Sequence, residues 1–150
     1  MCEAGKPNVD PEQAHSTRPA GLTGRARWLA FLPKNRWRLP NADAHVRHTG
    51  PCGDTMEFWI TLRDGRVEKA TFDADGCDAT LACGSAVTLL ACGLTVEQAS
   101  HVNQRAVLQY LGGLPEAFEH CALLAATTFQ MALAAARGNL QEHTESGSGG

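Results

Sequence analysis

The stretch Gly50-Pro51-Cys52-Gly53-Asp54-Thr55-Met56-Glu57-Phe58-Trp59-Ile60-Thr61-Leu62-Arg63-Asp64-Gly65-Arg66-Val67-Glu68-Lys69-Ala70-Thr71-Phe72, continuing to Asp75-Gly76-Cys77-Asp78, decides the fold. Met56, Phe58, Ile60 and Leu62 recur at every second position, the period of a half-buried strand. Asp64-Gly65 is a two-residue hairpin signal, because the tight turn needs positive φ at both centres. With that turn, residue 63 pairs with 66 and 62 with 67. The same register carried outward sets Cys52 opposite Cys77. Two thiols far apart in sequence are thus expected to face each other at the open end of one hairpin. Their Cα atoms are expected roughly 4.5–5.5 Å apart if the ladder persists that far.

Beyond Cys77 the period changes. Asp78 is a suitable helix N-cap, and residues 79 to 92 read as a helix ended by Gly93. Thr95-Val96-Glu97-Gln98 is a capping box for a short helix through His101. Asn103 caps another, through Leu111, closed by Gly112-Gly113. Pro115 suits the first turn of a long Ala-rich helix that runs to Arg137 and stops at Gly138. Before the hairpin, Arg25 to Leu32 reads as a short helix whose Trp28, Phe31 and Leu32 need a docking surface, and Ala44 to His48 as a first strand. Residues 1 to 21 lack periodicity and read as a disordered tail; residues 139 to 150 read as a flexible one. Residues 22 to 138 form one domain. Strands first and helices after give an α+β protein.

Composition narrows the partners. A net charge of −3 and a pI near 6.0 give no reason to expect nucleic acid. No apolar run approaches the roughly 18 residues of a membrane span, and the N-terminus lacks the order of a signal peptide. A cytoplasmic location is the expectation. Six cysteines in such a chain read as metal-binding or reactive thiols before disulfides. Cys92, beside Leu89, Leu90 and Leu94, reads as a small core residue, and Cys2 falls in the tail. Cys83 reads equally as core or as support for a site.

Cys52, Cys77 and Cys121 remain, each where a backbone element begins or ends. Cys77 precedes a helix, whose N-terminal N–H dipoles favour a thiolate. Cys121 is placed about two turns into the last helix with His120 beside it. Their side chains diverge by roughly 100°, so one is a ligand while the other stands ready to replace it. Asp54 adds a hard oxygen two residues after Cys52. Thiolates select zinc, Cu(I) or iron–sulfur clusters over magnesium or calcium. A carboxylate among them is unusual for a permanent structural zinc, and points to a labile site.

These residues carry a resemblance. Cys52-Gly53-Asp54, Gly76-Cys77 after a hairpin and His120-Cys121 near the last helix resemble the iron–sulfur cluster scaffold family of the IscU/NifU N-terminal type. The similarity runs from about Asn35, through Asn-Arg-Trp-Arg-Leu-Pro-Asn-Ala-Asp-Ala, to about Ala136. It takes in Cys83-Gly84-Ser85-Ala86 and Gly93-Leu94-Thr95-Val96-Glu97-Gln98-Ala99. The resemblance implies a small three-stranded antiparallel sheet packed against several helices, with the ligands at one exposed end. It implies that Cys52, Asp54, Cys77 and Cys121 hold a transient [2Fe–2S] cluster and that His120 is an alternative ligand. It also makes Cys121, taken as exposed, the acceptor of persulfide sulfur from a cysteine desulfurase. Apo iron–sulfur proteins would receive the cluster, and zinc would occupy the cluster-free form. Such a protein is a scaffold and not an enzyme.

Some features depart from the family. The Leu-Pro-Pro-Val-Lys segment by which classical members meet an Hsp70-type chaperone stands here as Leu114-Pro115-Glu116-Ala117-Phe118, which puts that partner in doubt. The further modules of full-length NifU and the insertion of the zinc-dependent sulfur-acceptor branch are absent from this sequence. Two rivals remain: a zinc-bound sulfur-transfer protein using the same ligands, and a zinc-stapled interaction domain without sulfur chemistry.

Overall fold

Asp64 (φ 55°) and Gly65 (φ 75°) both take the left-handed conformation that a tight hairpin turn requires. They join strand β2 (Thr55–Arg63) to strand β3 (Arg66–Asp75), and strand β1 (Ala44–Thr49) pairs with the other edge of β2. The result is a three-stranded antiparallel sheet in the order β1-β2-β3. The computed structural model describes the backbone of residues 21–147, with side-chain environments through residue 138. Residues 1–20, including Cys2 and nearly all of the expected tail, lie outside the described residues.

The hairpin register needs one correction. Arg63 pairs with Arg66 and Leu62 with Val67, as the turn dictates, but Thr61 pairs with Lys69 and Thr55 with Asp75. Glu68 is therefore an extra residue in β3, a β-bulge. Burial supplies the reason. Val67, Ala70 and Phe72 all face the core, and the spacing from 67 to 70 cannot keep one face without an inserted residue. An unbroken register would instead have set Lys69 against Ile60 on the buried face. The ladder ends at Thr55 and Asp75, so Cys52 and Cys77 are not a cross-strand pair.

Met56, Phe58 and Ile60 are fully buried, and two helices cover the sheet: α5 (Glu119–Gly147) packs on β2 and α2 (Asp78–Ala91) on β3. Phe58 meets Phe129 of α5 edge to face at 5.8 Å and lies 6.1 Å from Phe72. On α2 the small residues Ala79, Ala82, Cys83 and Ala86 let the helix approach the sheet closely. Gly84 sits against Phe72, where an added Cβ would fall 2.3 Å from the ring. Trp59 uses the opposite sheet face and stacks on His45, with ring centroids 4.7 Å apart.

The remaining helices frame this layer. Helix α1 (Gly24–Phe31) packs on α2 through Ala26, Leu29 and Ala30, whereas Phe31 is 36% exposed. Trp28 and Leu32, expected to dock along with Phe31, are half-buried. Thr95 and Gln98 form the anticipated capping box of α3 (Val96–Ala99). Asn103 caps α4 (Gln104–Leu111), which closes on left-handed Gly112. Asp78 is the first residue of α2 and not its cap; Cys77 holds the N-cap position, without a side-chain cap bond. The last helix starts later than expected, because Glu116–Phe118 forms a separate 3-10 turn. It also runs through Gly138 to Gly147. A single glycine costs a helix only about 1 kcal/mol, which the Ala-rich run before it offsets.

Candidate metal centre

Three backbone junctions meet at the open end of the hairpin. The first is the β1–β2 turn, where the Gly53 N–H donates to Gly50 O (3.0 Å) and the Gly50 N–H to Asp54 O (2.9 Å). Gly53 is left-handed at φ 93° and turns the chain back between Cys52 and Asp54. Gly50 seats this turn on α5, since a Cβ there would lie 3.1 Å from Leu124. The second junction is Gly76-Cys77, where the Cys77 carbonyl accepts the first helical bonds from the Thr80 and Leu81 N–H groups. The third is the first turn of α5, in which His120 and Cys121 are the second and third residues, not two turns in.

All five side chains singled out from the sequence gather there, in two overlapping triples. The ligand atoms of Asp54, Cys77 and Cys121 lie within 4.8 Å of one another, and so do those of Cys52, Asp54 and His120. Asp54 belongs to both. Cys52 and Cys77 fall in different triples. Adjacent His120 and Cys121 also divide between them, with His120 Nε2 3.7 Å from Cys121 Sγ. Cys52, Cys77 and His120 are exposed and Asp54 is half-buried.

Cys121 is 0% exposed, which corrects the expectation of an open thiol. Burial pushes its pKa up to about 12, reinforced by the neighbouring Cys77 and Asp54 and opposed by a hydrogen bond from Thr80. At neutral pH this thiol keeps its proton. Cys83, equally buried one turn deeper in α2, is raised well above its ordinary value, first by burial and then by Cys121 and Cys77. It sits beneath the site as a neutral thiol. Cys92 lies at the far end of α2, half-buried.

One residue of the site went unread in the sequence. Thr80 is fully buried, and its hydroxyl donates to Asp54 Oδ2 at 2.8 Å. The same oxygen lies 3.5 Å from Cys77 Sγ and 3.6 Å from Cys121 Sγ. Gly76 leaves the room for this contact: a Cβ at that position would stand 2.8 Å from Thr80 Oγ1 and 2.9 Å from Asp54 Oδ2. The readable signal was position, since Thr80 follows Cys77 by three and so shares its side of the helix.

The donor set suits a soft metal or an iron–sulfur cluster: three sulfurs, one imidazole and one carboxylate. Comparison with known proteins agrees. Residues 30–142 match the family described as NifU-like N terminal domain. The iron-sulfur cluster assembly scaffold protein IscU 1 of Archaeoglobus fulgidus is 37% identical over 102 residues, 67% of this chain and 67% of that protein. The nitrogen fixation protein NifU of Cereibacter sphaeroides is 38% identical over 118 residues, covering 77% of this chain and 48% of that protein. The crystal structure of a nitrogen-fixing NifU-like protein (N-terminal) from Brucella abortus superposes with a TM-score of 0.62 at 18% identity, over 77% of this chain and 94% of that one. Likeness at that identity speaks to the fold alone.

Proposed function

We propose, since the chain belongs to the NifU-like N-terminal domain family, that it is a scaffold on which an iron–sulfur cluster is assembled and from which the cluster passes to other proteins. The observation that supports this most is the gathering of five donors from three separate junctions into two triples around Asp54. A structural zinc needs four ligands held shut. Here most of the donors are open to solvent and one is an exchangeable oxygen.

Cys52, Asp54, Cys77 and Cys121 are the ligands assigned to a transient [2Fe–2S] cargo, with His120 in reserve. Cys121 is assigned as the sulfur acceptor from a cysteine desulfurase. Its thiolate attacks the terminal sulfur of the donor's persulfide, the donor S–S bond breaks, and the donor cysteine leaves as a thiolate. Burial makes access the controlling step, so the first turn of α5 must move or the donor must press in beside exposed Cys77. Apo iron–sulfur proteins are the proposed recipients and the cytoplasm the proposed location. No Hsp70-type partner is proposed, because Leu114–Phe118 lacks the segment such a chaperone would bind.

Anaerobic reconstitution of the full chain with ferrous iron and sulfide, alongside metal analysis, tests this. The expected result is visible charge-transfer absorption with matched iron and sulfide. A colourless protein that holds stoichiometric zinc and excludes iron would favour a zinc-bound sulfur-transfer protein instead.

A further inference from the structure

Asp54 is shared by two triples, and something must decide which way its carboxylate leans. We infer that Thr80 is a positioning residue that holds Asp54 in the inner triple with Cys77 and Cys121, so that the hydroxyl sets the strength of metal binding there. This rests on the metal-site reading above.

A hydroxyl carries one proton, and the shortest of its three contacts runs to a carboxylate, which in its ionised form only accepts. Thr80 therefore spends its proton on Asp54 Oδ2. Cys121 Sγ, at 3.6 Å, competes for that proton only at longer range, and Cys77 Sγ lies at 3.5 Å. The residue is anchored where it stands: it is fully buried in the first turn of α2, and its N–H bonds to the Cys77 carbonyl at 3.0 Å. Asp54, by contrast, stands on a glycine-flanked turn and is half-buried. Among the described residues, no hydrogen bond or ion pair ties its carboxylate to Cys52 or His120 as Thr80 ties it to the helix. The buried, anchored hydroxyl thus steers the half-buried carboxylate. Gly76 keeps the path between them clear, since any side chain there would meet both groups at under 3 Å.

Hydrogen bonds to metal-bound carboxylates typically change metal affinity 10–100-fold when removed. Thr80→Val keeps the shape and deletes the proton. Zn²⁺ affinity and Co²⁺ absorption of the anaerobic, metal-free full chain would be measured for wild type, Thr80→Val, Thr80→Ser, Asp54→Ala and the Thr80→Val/Asp54→Ala double variant. Thr80→Val should bind Zn²⁺ about tenfold more weakly, with the thiolate-to-cobalt band retained and the thermal midpoint little changed. Thr80→Ser should restore wild-type affinity. In the Asp54→Ala background, Thr80→Val should change nothing more, because its effect passes through that carboxylate. If Thr80→Val does not fold, Thr80→Ala takes its place in the cycle.

Wild-type affinity in Thr80→Val would overturn the inference. So would an equal loss in both backgrounds, which would mean a packing role. Cys77→Ala distinguishes the underlying reading: if it leaves Zn²⁺ affinity unchanged, the metal site itself is wrongly placed and the role of Thr80 falls with it.

Discussion

The inner triple, Asp54 with Cys77 and Cys121, is rooted in the first turns of two packed helices and tied together by a buried hydroxyl. The outer triple, Cys52 with Asp54 and His120, stands on a glycine turn and an exposed imidazole. One half is organised before any metal arrives; the other is reachable by a partner. A site that must accept, hold and release its cargo needs both properties, and sharing one carboxylate puts them within a few ångströms.

The largest expected effect breaks the comparison at the sulfurs. At pH 7, iodoacetamide should modify exposed Cys52 and Cys77 while sparing Cys121. Cys121 should react at least a hundredfold faster in urea than in the folded protein, because its raised pKa and burial are both relieved on unfolding. Mass-resolved alkylation rates report this directly. Similar folded rates at all three cysteines would mean that the inner half is as open as the outer.

A second comparison uses two glycines. Gly76→Ala would push a methyl into Thr80 and Asp54, and should lower Zn²⁺ affinity about tenfold by disturbing that hydrogen bond. Gly84→Ala would instead press on Phe72 and cost about 1–3 kcal/mol of stability while leaving the affinity of the folded protein near wild type. Denaturation and metal titration of both variants separate site from scaffold. Equal loss of affinity in the two would erase the distinction.

A smaller effect follows from protonation. Cys121 keeps its proton to about pH 12 when folded, against an ordinary value of 9.0, so the folded state binds more protons than the unfolded state between those limits. Stability from this group is complete below pH 9 and is lost as pH rises toward 12. Cys121→Ala should lose less stability than wild type across that window in urea denaturation. Parallel pH profiles would show that the thiol is not sequestered.

How much of this was legible in the sequence depended on whether the deciding force was local. Asp64-Gly65 announced the hairpin because the turn's positive φ angles are a property of those two residues. Thr95-Gln98 and Asn103 announced their caps for the same reason. The bulge at Glu68 was equally present: Val67 and Ala70 cannot share a face in an unbroken strand, and an unshifted register would have buried Lys69. The choice of Cys52, Asp54, Cys77, His120 and Cys121 could be made from residue type and spacing. Their division into two triples could not, because it depends on how three separate junctions pack, as where Gly50 seats its turn against Leu124. Thr80 was hidden for another reason. Helix α2 is buried almost all round, so a threonine at position 80 leaves no periodic contrast. The burial of Cys121 is tertiary in origin and leaves no local mark.

The shared carboxylate is the centre of the account, and its removal is the most direct test. Reconstituted Asp54→Ala and wild-type protein would be compared by decay of visible absorbance in air and by cluster transfer to an apo-ferredoxin. An aspartate oxygen is a harder ligand than thiolate and gives water or an incoming thiol a way into the coordination sphere. The account predicts that Asp54→Ala keeps its cluster longer and transfers it more slowly, with the fold almost unchanged. Faster loss than wild type would contradict it, and would mean that Asp54 is not the route by which the cluster leaves.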